Sequence, residues 1–323
     1  MILLQPDKPY ISRYRLKAPG FLNAVSSRRE FEGVLIRVGG GFGCIHPWPE
    51  LGNPSLEKCL ADLAGDRRWS LVRRALRCAE YDAAARSHDE SLFEEMVVPR
   101  SHATLAKADL ATVALAAAAG FDIVKLKCGR DLAAEATLLE ALAAEFPTLR
   151  WRLDFNEAPT PESVTEFLTG LIPATRYKLD FVEDPCPYAD ATWTELHRRT
   201  RVRLAVDLEA APLSAAAQVL VIKPAVDEPF LLAEAALRHR QHVVLTSYMD
   251  HPLGQTFAAW EAARLDLQFP GLPGVCGLQT HHLFTPTEFS EALGPWSPVF
   301  QPPAGTGLGF DDFLEALPWT QHY

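Results

Sequence analysis

The rhythm of apolar and polar positions changes near residue 98. Before it, "YISRYRLK" and "EFEGVLIRVGGGFGCIHP" alternate with a period of two, as strands with one covered face do. A helical run rich in Arg and Ala follows over residues 56–85. Beyond residue 98, short apolar or alternating runs recur at "SHATLAK", "DIVKLKCG", "RWRLDFNE", "YKLDFVEDP", "VRLAVDLE", "QVLVIKPA" and "HVVLTSY". Stretches with helical character separate them, among them "ADLATVALAAAAG", "DLAAEATLLEALAAEFP", "PESVTEFLTGLI" and "EPFLLAEAALRHR". Strands alternating with helices over about 200 residues predict an α/β fold, a modified (β/α)8-type barrel of seven to eight parallel strands. An open doubly wound sheet uses fewer strands and carries a Gly-rich first turn that is missing here. The expected division is an α+β capping domain over 1–97 and a β/α barrel catalytic domain over 98–323, the C-terminal tail packing back on the cap. The cluster Gly39, Gly40, Gly41, Gly43 is followed by more strand rather than a helix, so it predicts a hairpin turn, not a phosphate loop.

In "RWRLDFNE", Trp151, Leu153 and Phe155 alternate with Arg152, Asp154 and Asn156. A barrel strand is covered on both faces, and unpaired charge is costly to bury. The charged row therefore needs a partner. Active sites of such barrels lie at the C-terminal mouth of the strands. Near those ends the chain places Lys125 and Lys127, then Asp154, Glu183, Asp207 and Lys223, on five consecutive strands. Residues at i and i+2 share a strand face, so the two lysines point the same way. Three converging carboxylates repel one another unless something positive sits among them. A hard divalent cation with oxygen ligands answers all three, Mg²⁺ in the first place and Mn²⁺ as the alternative. A lysine beside a second ammonium and a cation is expected to have a lowered pKa, and it can then take a weakly acidic proton next to a carboxylate. The cation stabilises the enediolate that results.

Composition narrows the partners. The 323 residues are 48% hydrophobic and 22% charged, an ordinary globular balance with a net charge of −10. That charge speaks against nucleic acid and for simple solubility, while the lysine and cation chemistry makes a small-molecule carboxylate the expected partner. No apolar run reaches about 20 residues, so no membrane span is expected. The N-terminal stretch has neither the basic head nor the long apolar core of a secretory signal. Six cysteines without a CxxC pattern read as free thiols of a reducing compartment, which makes the cytoplasm the expected location. His281 and His282 point in opposite directions from an extended chain and lack a third zinc ligand, so they read as structural. Ser247 has no Ser-centred Gly elbow and reads as a hydrogen-bonding hydroxyl. Asp250 either faces the pocket or caps the next helix. The stretch 18–31 has the composition of a mobile loop, with Arg28 and Arg29 as solvated residues or carboxylate contacts.

Taken as a set, Lys125-x-Lys127 with Asp154, Glu183 and Asp207 resembles the enolase superfamily, in the branch of muconate-lactonizing enzymes, dipeptide epimerases and o-succinylbenzoate synthases. The resemblance implies that the three acids are metal ligands, that Lys127 is the acid/base with Lys125 beside it, and that Lys223 stands on the opposite face. "RLDFN", "TSYMDHPLGQ", "CGLQTHHLF" and "HPWPELG" resemble the o-succinylbenzoate synthase family. That implies substrate contacts at Arg152, Asn156, Ser247 and Gly277, and a loop over 18–31 that closes on the substrate. It also implies syn-dehydration of 2-succinyl-6-hydroxy-2,4-cyclohexadiene-1-carboxylate, a lyase step of menaquinone biosynthesis. The same two lysines equally suit an N-acylamino acid racemase or dipeptide epimerase. The chain departs from the pattern at Leu208 after Asp207, with Glu209 one further on, and at His251 and Gln279. A non-catalytic binding protein is disfavoured because every one of these lysines and acids is intact.

Overall fold

The computed structural model describes residues 8–20, 22, 27–207 and 215–323. Strands β1 (Tyr10–Lys17), β2 (Glu30–Val38) and β3 (Gly41–Ile45) form an antiparallel sheet in which Tyr10 faces Arg37 and Lys17 faces Glu30. Gly39 and Gly40, with φ of 59° and 85°, make the two-residue turn between β2 and β3. Helices α1 (Leu56–Ala64) and α2 (Ser70–Arg86) follow. The single helix expected over 56–85 is thus two. The Asp62 carboxylate accepts hydrogen bonds from the backbone N–H groups of Arg68 and Trp69, both at 2.9 Å, and so forms a turn at the expense of helical bonding. Gly43 lets α2 lie close on the sheet, since a Cβ there would sit 2.1 Å from the Ala75 carbonyl oxygen.

The second layer is the barrel. Its strands are β4 (Ala103–Thr104), β5 (Ile123–Lys127), β6 (Arg150–Asp154), β7 (Leu179–Glu183), β8 (Leu204–Val206), β9 (Val219–Ile222) and β10 (His242–Leu245), parallel and hydrogen-bonded in chain order. Helices α3 (Leu110–Ala118), α4 (Leu132–Glu145), α5 (Pro161–Gly170), α6 (Pro173–Tyr177), α7 (Asp190–Thr200), α8 (Pro229–His239) and α9 (Pro252–Gln268) alternate with them. An eighth stave closes the ring. Val243 bridges Pro273, Thr246 bridges Gly277, and Ser101 bridges Cys276. The Gly277 N–H donates to the Leu245 carbonyl at 2.8 Å, and the Cys276 N–H donates to the Arg100 carbonyl at 2.7 Å. The expected barrel with an N-terminal cap is the observed architecture. Strand β11 (Thr320–Gln321), at the chain's end, pairs with β1.

Alternation along β6 sets both layers. Trp151, Leu153 and Phe155 are fully buried on the helix side, where Phe155 meets Phe167 of α5 edge-on. Each such side chain contributes about 1.5–3 kcal/mol. The odd row faces out, so the even row faces the barrel interior. Among the described residues no helix is long and apolar enough to cross a membrane.

Cap and barrel are tied by buried polar contacts. The Trp48 indole donates to the Tyr248 carbonyl at 3.0 Å, and Tyr248 donates to Asn53 at 2.9 Å. Arg74 of α2 reaches Glu261 of α9 at 3.0 Å and Asp250 at 3.8 Å. Asp250 therefore faces the cap helix, while His251 caps α9 by accepting the Leu253 N–H. Burial pushes the Asp250 carboxyl up to about 6, against the pull of Arg74. The folded state holds this proton more tightly than the unfolded chain, where the value is about 3.9. The contribution is stabilising below about pH 4 and is lost as pH rises through about 6, up to about 3 kcal/mol. Relative to Asp250→Asn, the wild type should lose unfolding free energy between pH 4 and 7. A pH-independent difference in denaturant titrations would contradict this.

Candidate active site

The parallel register brings the charged ends of the strands level. Lys127 lies opposite Asp154, and Asp154 opposite Glu183. The Lys125 ammonium donates to Glu183 Oε1 and Oε2 at 2.6 and 2.8 Å and lies 2.8 Å from Asp154. Lys127 reaches Asp154 Oδ2 at 2.6 Å and Asn156 Oδ1 at 3.1 Å. Across the mouth, Lys223 pairs with Asp207. Lys127 is the more open of the K-x-K pair, its side chain 36% exposed against 11% for Lys125.

The electrostatics are those of crowded, buried charge. Burial alone would lower the Lys125 ammonium, but Asp154, Glu183 and Asp207 outweigh it and hold it well above the ordinary lysine value. Lys223 is likewise raised, with Asp207 overcoming its burial. The lowering expected for a K-x-K lysine is therefore reversed at Lys125, because it faces carboxylates rather than its fellow ammonium. Burial would raise Asp154, yet Lys125 and Lys127 together bring it well below the usual carboxylate range. Glu183, buried and beside Asp154, is pushed up to about 7.

A fourth acid belongs to this group. Glu183, Asp184 and Asp207 bring carboxylate oxygens within 4.8 Å of one another. Asp184 is in the left-handed region at φ 43°, which turns the chain so that neighbours on one strand end converge. Its Oδ1 accepts the Asp207 N–H at 3.1 Å, and burial, with Asp207 next, pushes its carboxyl up to about 9. Asp154 Oδ1, Asp184 Oδ2 and Asp207 Oδ1 are buried with no hydrogen-bond partner among the described residues. Hard oxygen donors, crowded and unsatisfied, fit a divalent cation.

These residues open onto a cavity of about 270 Å³ whose walls include Lys125, Lys127, Asp154, Asn156, Asp207 and Lys223. The cap contributes Leu22, and β10 leads into Thr246 and Ser247. The Ser247 hydroxyl is held by Thr280 at 2.7 Å. Gly277 also borders the cavity, and a Cβ there would lie 2.7 Å from His102 Cε1 and 2.9 Å from Thr246 Cγ2. Gly277→Ala should therefore displace one of these side chains and cost at least about tenfold in kcat/KM, at a stability loss of about 1–3 kcal/mol. Unchanged steady-state kinetics in a folded variant would contradict that role.

Arg152 lies beneath the cavity instead of on its wall. Its guanidinium donates to Asp180 at 2.8 Å, to His102 Nδ1 at 2.6 Å and to the Val275 carbonyl at 2.7 Å. The direct substrate contact expected of Arg152 is therefore replaced by contacts within the protein. His282 donates to the Thr104 carbonyl at 2.9 Å and stacks on Trp296, and His281 is buried beside it. The guanidinium of Arg28 lies over Phe31 and pairs with Glu50 at 3.1 Å. Residues 21 and 23–26 of the expected closing loop, and Leu208 and Glu209, lie outside the described residues. Asp184 and His102 are site residues that sequence pattern does not reveal. An acid next to another acid normally points the opposite way on a strand, and a lone histidine in "SHATLAK" carries no periodic signal.

Known proteins share sequence and fold with this chain. Residues 9–85 match the family model for the O-succinylbenzoate synthase N-terminal domain, and residues 108–227 match the enolase C-terminal domain-like model. A curated o-succinylbenzoate synthase from Bdellovibrio bacteriovorus is 33% identical over 322 residues, covering 96% of this chain and 97% of that protein. Among solved structures, the dipeptide epimerase from Enterococcus faecalis V583 superposes with a TM-score of 0.77 at 16% identity, over 95% of this chain and 99% of that one. A dipeptide epimerase from Methylococcus capsulatus, complexed with Mg and the dipeptide L-Arg-D-Lys, gives 0.72 at 18% identity, over 95% and 99%.

Proposed function

The chain belongs to the enolase superfamily, on its o-succinylbenzoate synthase branch, and from that membership we propose that it is a Mg²⁺-dependent o-succinylbenzoate synthase. In this reading it is a lyase of the cytoplasm that removes water from 2-succinyl-6-hydroxy-2,4-cyclohexadiene-1-carboxylate, a small-molecule carboxylate, in menaquinone biosynthesis. The observation that carries the reading is the match to o-succinylbenzoate synthases over the cap and over nearly the whole chain, supported by Lys127, Lys223, Asp154 and Asp207 lining one cavity.

Asp154, Glu183 and Asp207 would hold the cation. Bound there, it would supply Lewis-acid stabilisation of the negative charge that develops on the substrate carboxylate. Lys127, released from Asp154, takes the α-proton of the ring and returns it to the departing hydroxyl on the same face. One base thus serves both halves of a syn elimination, the C–H and C–O bonds break, and water leaves. Lys223 stays an ammonium and stabilises developing negative charge from the other side, including through the ring's π-face. Ser247 and Asn156 orient polar substituents by hydrogen bonds.

A second reading, racemisation or epimerisation of an N-acylated amino acid or dipeptide, is favoured by the same two opposed lysines. The two differ in proton exchange. With Mg²⁺ in D₂O, the dehydratase turns over the cyclohexadiene and leaves the α-protons of N-acylamino acids and dipeptides in place. Rapid exchange of those protons without turnover of the cyclohexadiene would transfer the assignment to the epimerases.

A further inference from the structure

His102 immediately precedes β4, is 1% exposed, and borders the cavity next to Gly277. Its Nδ1 is 2.6 Å from Arg152 Nη1. A guanidinium has donors and no acceptor, so Nδ1 must be the acceptor, and in a neutral ring the proton is then on Nε2. Burial, then Arg152 and Lys125, keep the imidazole uncharged. Arg152 is itself fixed by Asp180 and by the Val275 carbonyl, so the tautomer is imposed from below. The Cε1–Nε2 edge is laid against Gly277, where a Cβ would come within 2.7 Å of Cε1 and 2.9 Å of Nε2. Nε2 makes no hydrogen bond to the described residues although the residue is almost wholly buried. The atom is not sealed inside the protein, and the cavity that His102 lines is where it opens.

We propose that the Nε2–H of His102 is a substrate-binding donor on the cavity floor, fixed in that tautomer by Arg152, and that it selects a carbonyl or carboxylate oxygen on the bound substrate. With Nδ1 already used, the ring cannot accept, so an ammonium or amide N–H at the same place is discriminated against. The role rests on the cavity being the substrate site of the proposed dehydratase, and the tautomer itself does not depend on that function. Arg152 is then a positioning residue that touches no ligand but decides which edge of His102 carries the proton.

Two variants separate this from a structural role. Asn at 102 retains an acceptor near the Nδ1 position for Arg152 and lacks the reach of Nε2. Gln carries an N–H to the Nε2 position and forgoes the acceptor. For the cyclohexadiene substrate, or for an epimerase substrate if the wild type turns that over instead, His102→Asn should raise KM about tenfold with kcat little changed, and His102→Gln should stay within about threefold of wild type. The reverse order, Asn neutral and Gln impaired, would overturn the proposal. The tautomer is read directly from long-range ¹H–¹⁵N spectra of wild-type protein labelled with ¹⁵N and ¹³C, the His102 ring being assigned through its own backbone resonances. A protonated Nε2 with a bare Nδ1 is expected, and a protonated Nδ1 would overturn the proposal even if both variants fail to fold. Should the wild type turn over neither substrate, the functional reading fails while the spectrum still decides the donor.

Discussion

Lys127→Arg is expected to lose at least about 10³-fold in dehydration turnover, while Lys223→Arg keeps activity to within about tenfold. The difference follows from position. Lys127 is the open member of the K-x-K pair, tethered to Asp154 and Asn156 at the cavity's edge. As the base it must shed a proton and take it up again, and a guanidinium cannot be deprotonated in this range. Lys223 lines the same cavity from the β9 side, and in this reading what it supplies is charge, which arginine preserves. Pre-steady-state turnover of the two variants checks the split. Comparable losses at both positions would mean that both lysines exchange protons, which is epimerase chemistry.

Glu183→Gln is expected to lower turnover at least about 10²-fold and to raise the Mg²⁺ concentration needed for half-maximal activity at least about tenfold. The substitution keeps size and one carbonyl oxygen for Lys125, so its main effect is loss of charge from a crowded group. In the absence of divalent cations that loss relieves repulsion, since burial and Asp154 already push Glu183 up to about 7. Thermal unfolding in chelator should therefore show the variant at least as stable as wild type. A variant that unfolds early in chelator but keeps its Mg²⁺ requirement would assign Glu183 to the fold rather than to the cation.

The parts of the molecule legible in sequence are those written in a strong local period. Alternation in "RWRLDFNE" separates Trp151, Leu153 and Phe155 from the inward row, and the recurring strand-helix pattern marks all seven strands of the parallel sheet. Lys125 and Lys127 fall on one face because they are two apart on a strand. The eighth stave is hidden because residues 273–277 carry Pro and Gly and are held by isolated bridges. The break between α1 and α2 depends on one carboxylate, Asp62, whose preference for backbone N–H groups is a matter of geometry and not of pattern. Asp184 is concealed by a positive φ that cancels strand alternation. Alternation puts Arg152 on the right face but at the wrong depth, because its partners Asp180 and His102 come from other strands and no local signal reports depth. Asp250, open to two roles in the sequence, has a third, facing Arg74 of the cap.

The central claim is that carboxylates from adjacent barrel strands grip a divalent cation between opposed ammonium groups, and that proton abstraction requires it. Turnover of 2-succinyl-6-hydroxy-2,4-cyclohexadiene-1-carboxylate by protein stripped with chelator, then resupplied with Mg²⁺, addresses it most directly. The expected result is activity at least about 10³-fold lower after stripping and full recovery on adding Mg²⁺. Undiminished turnover by the stripped protein would contradict it.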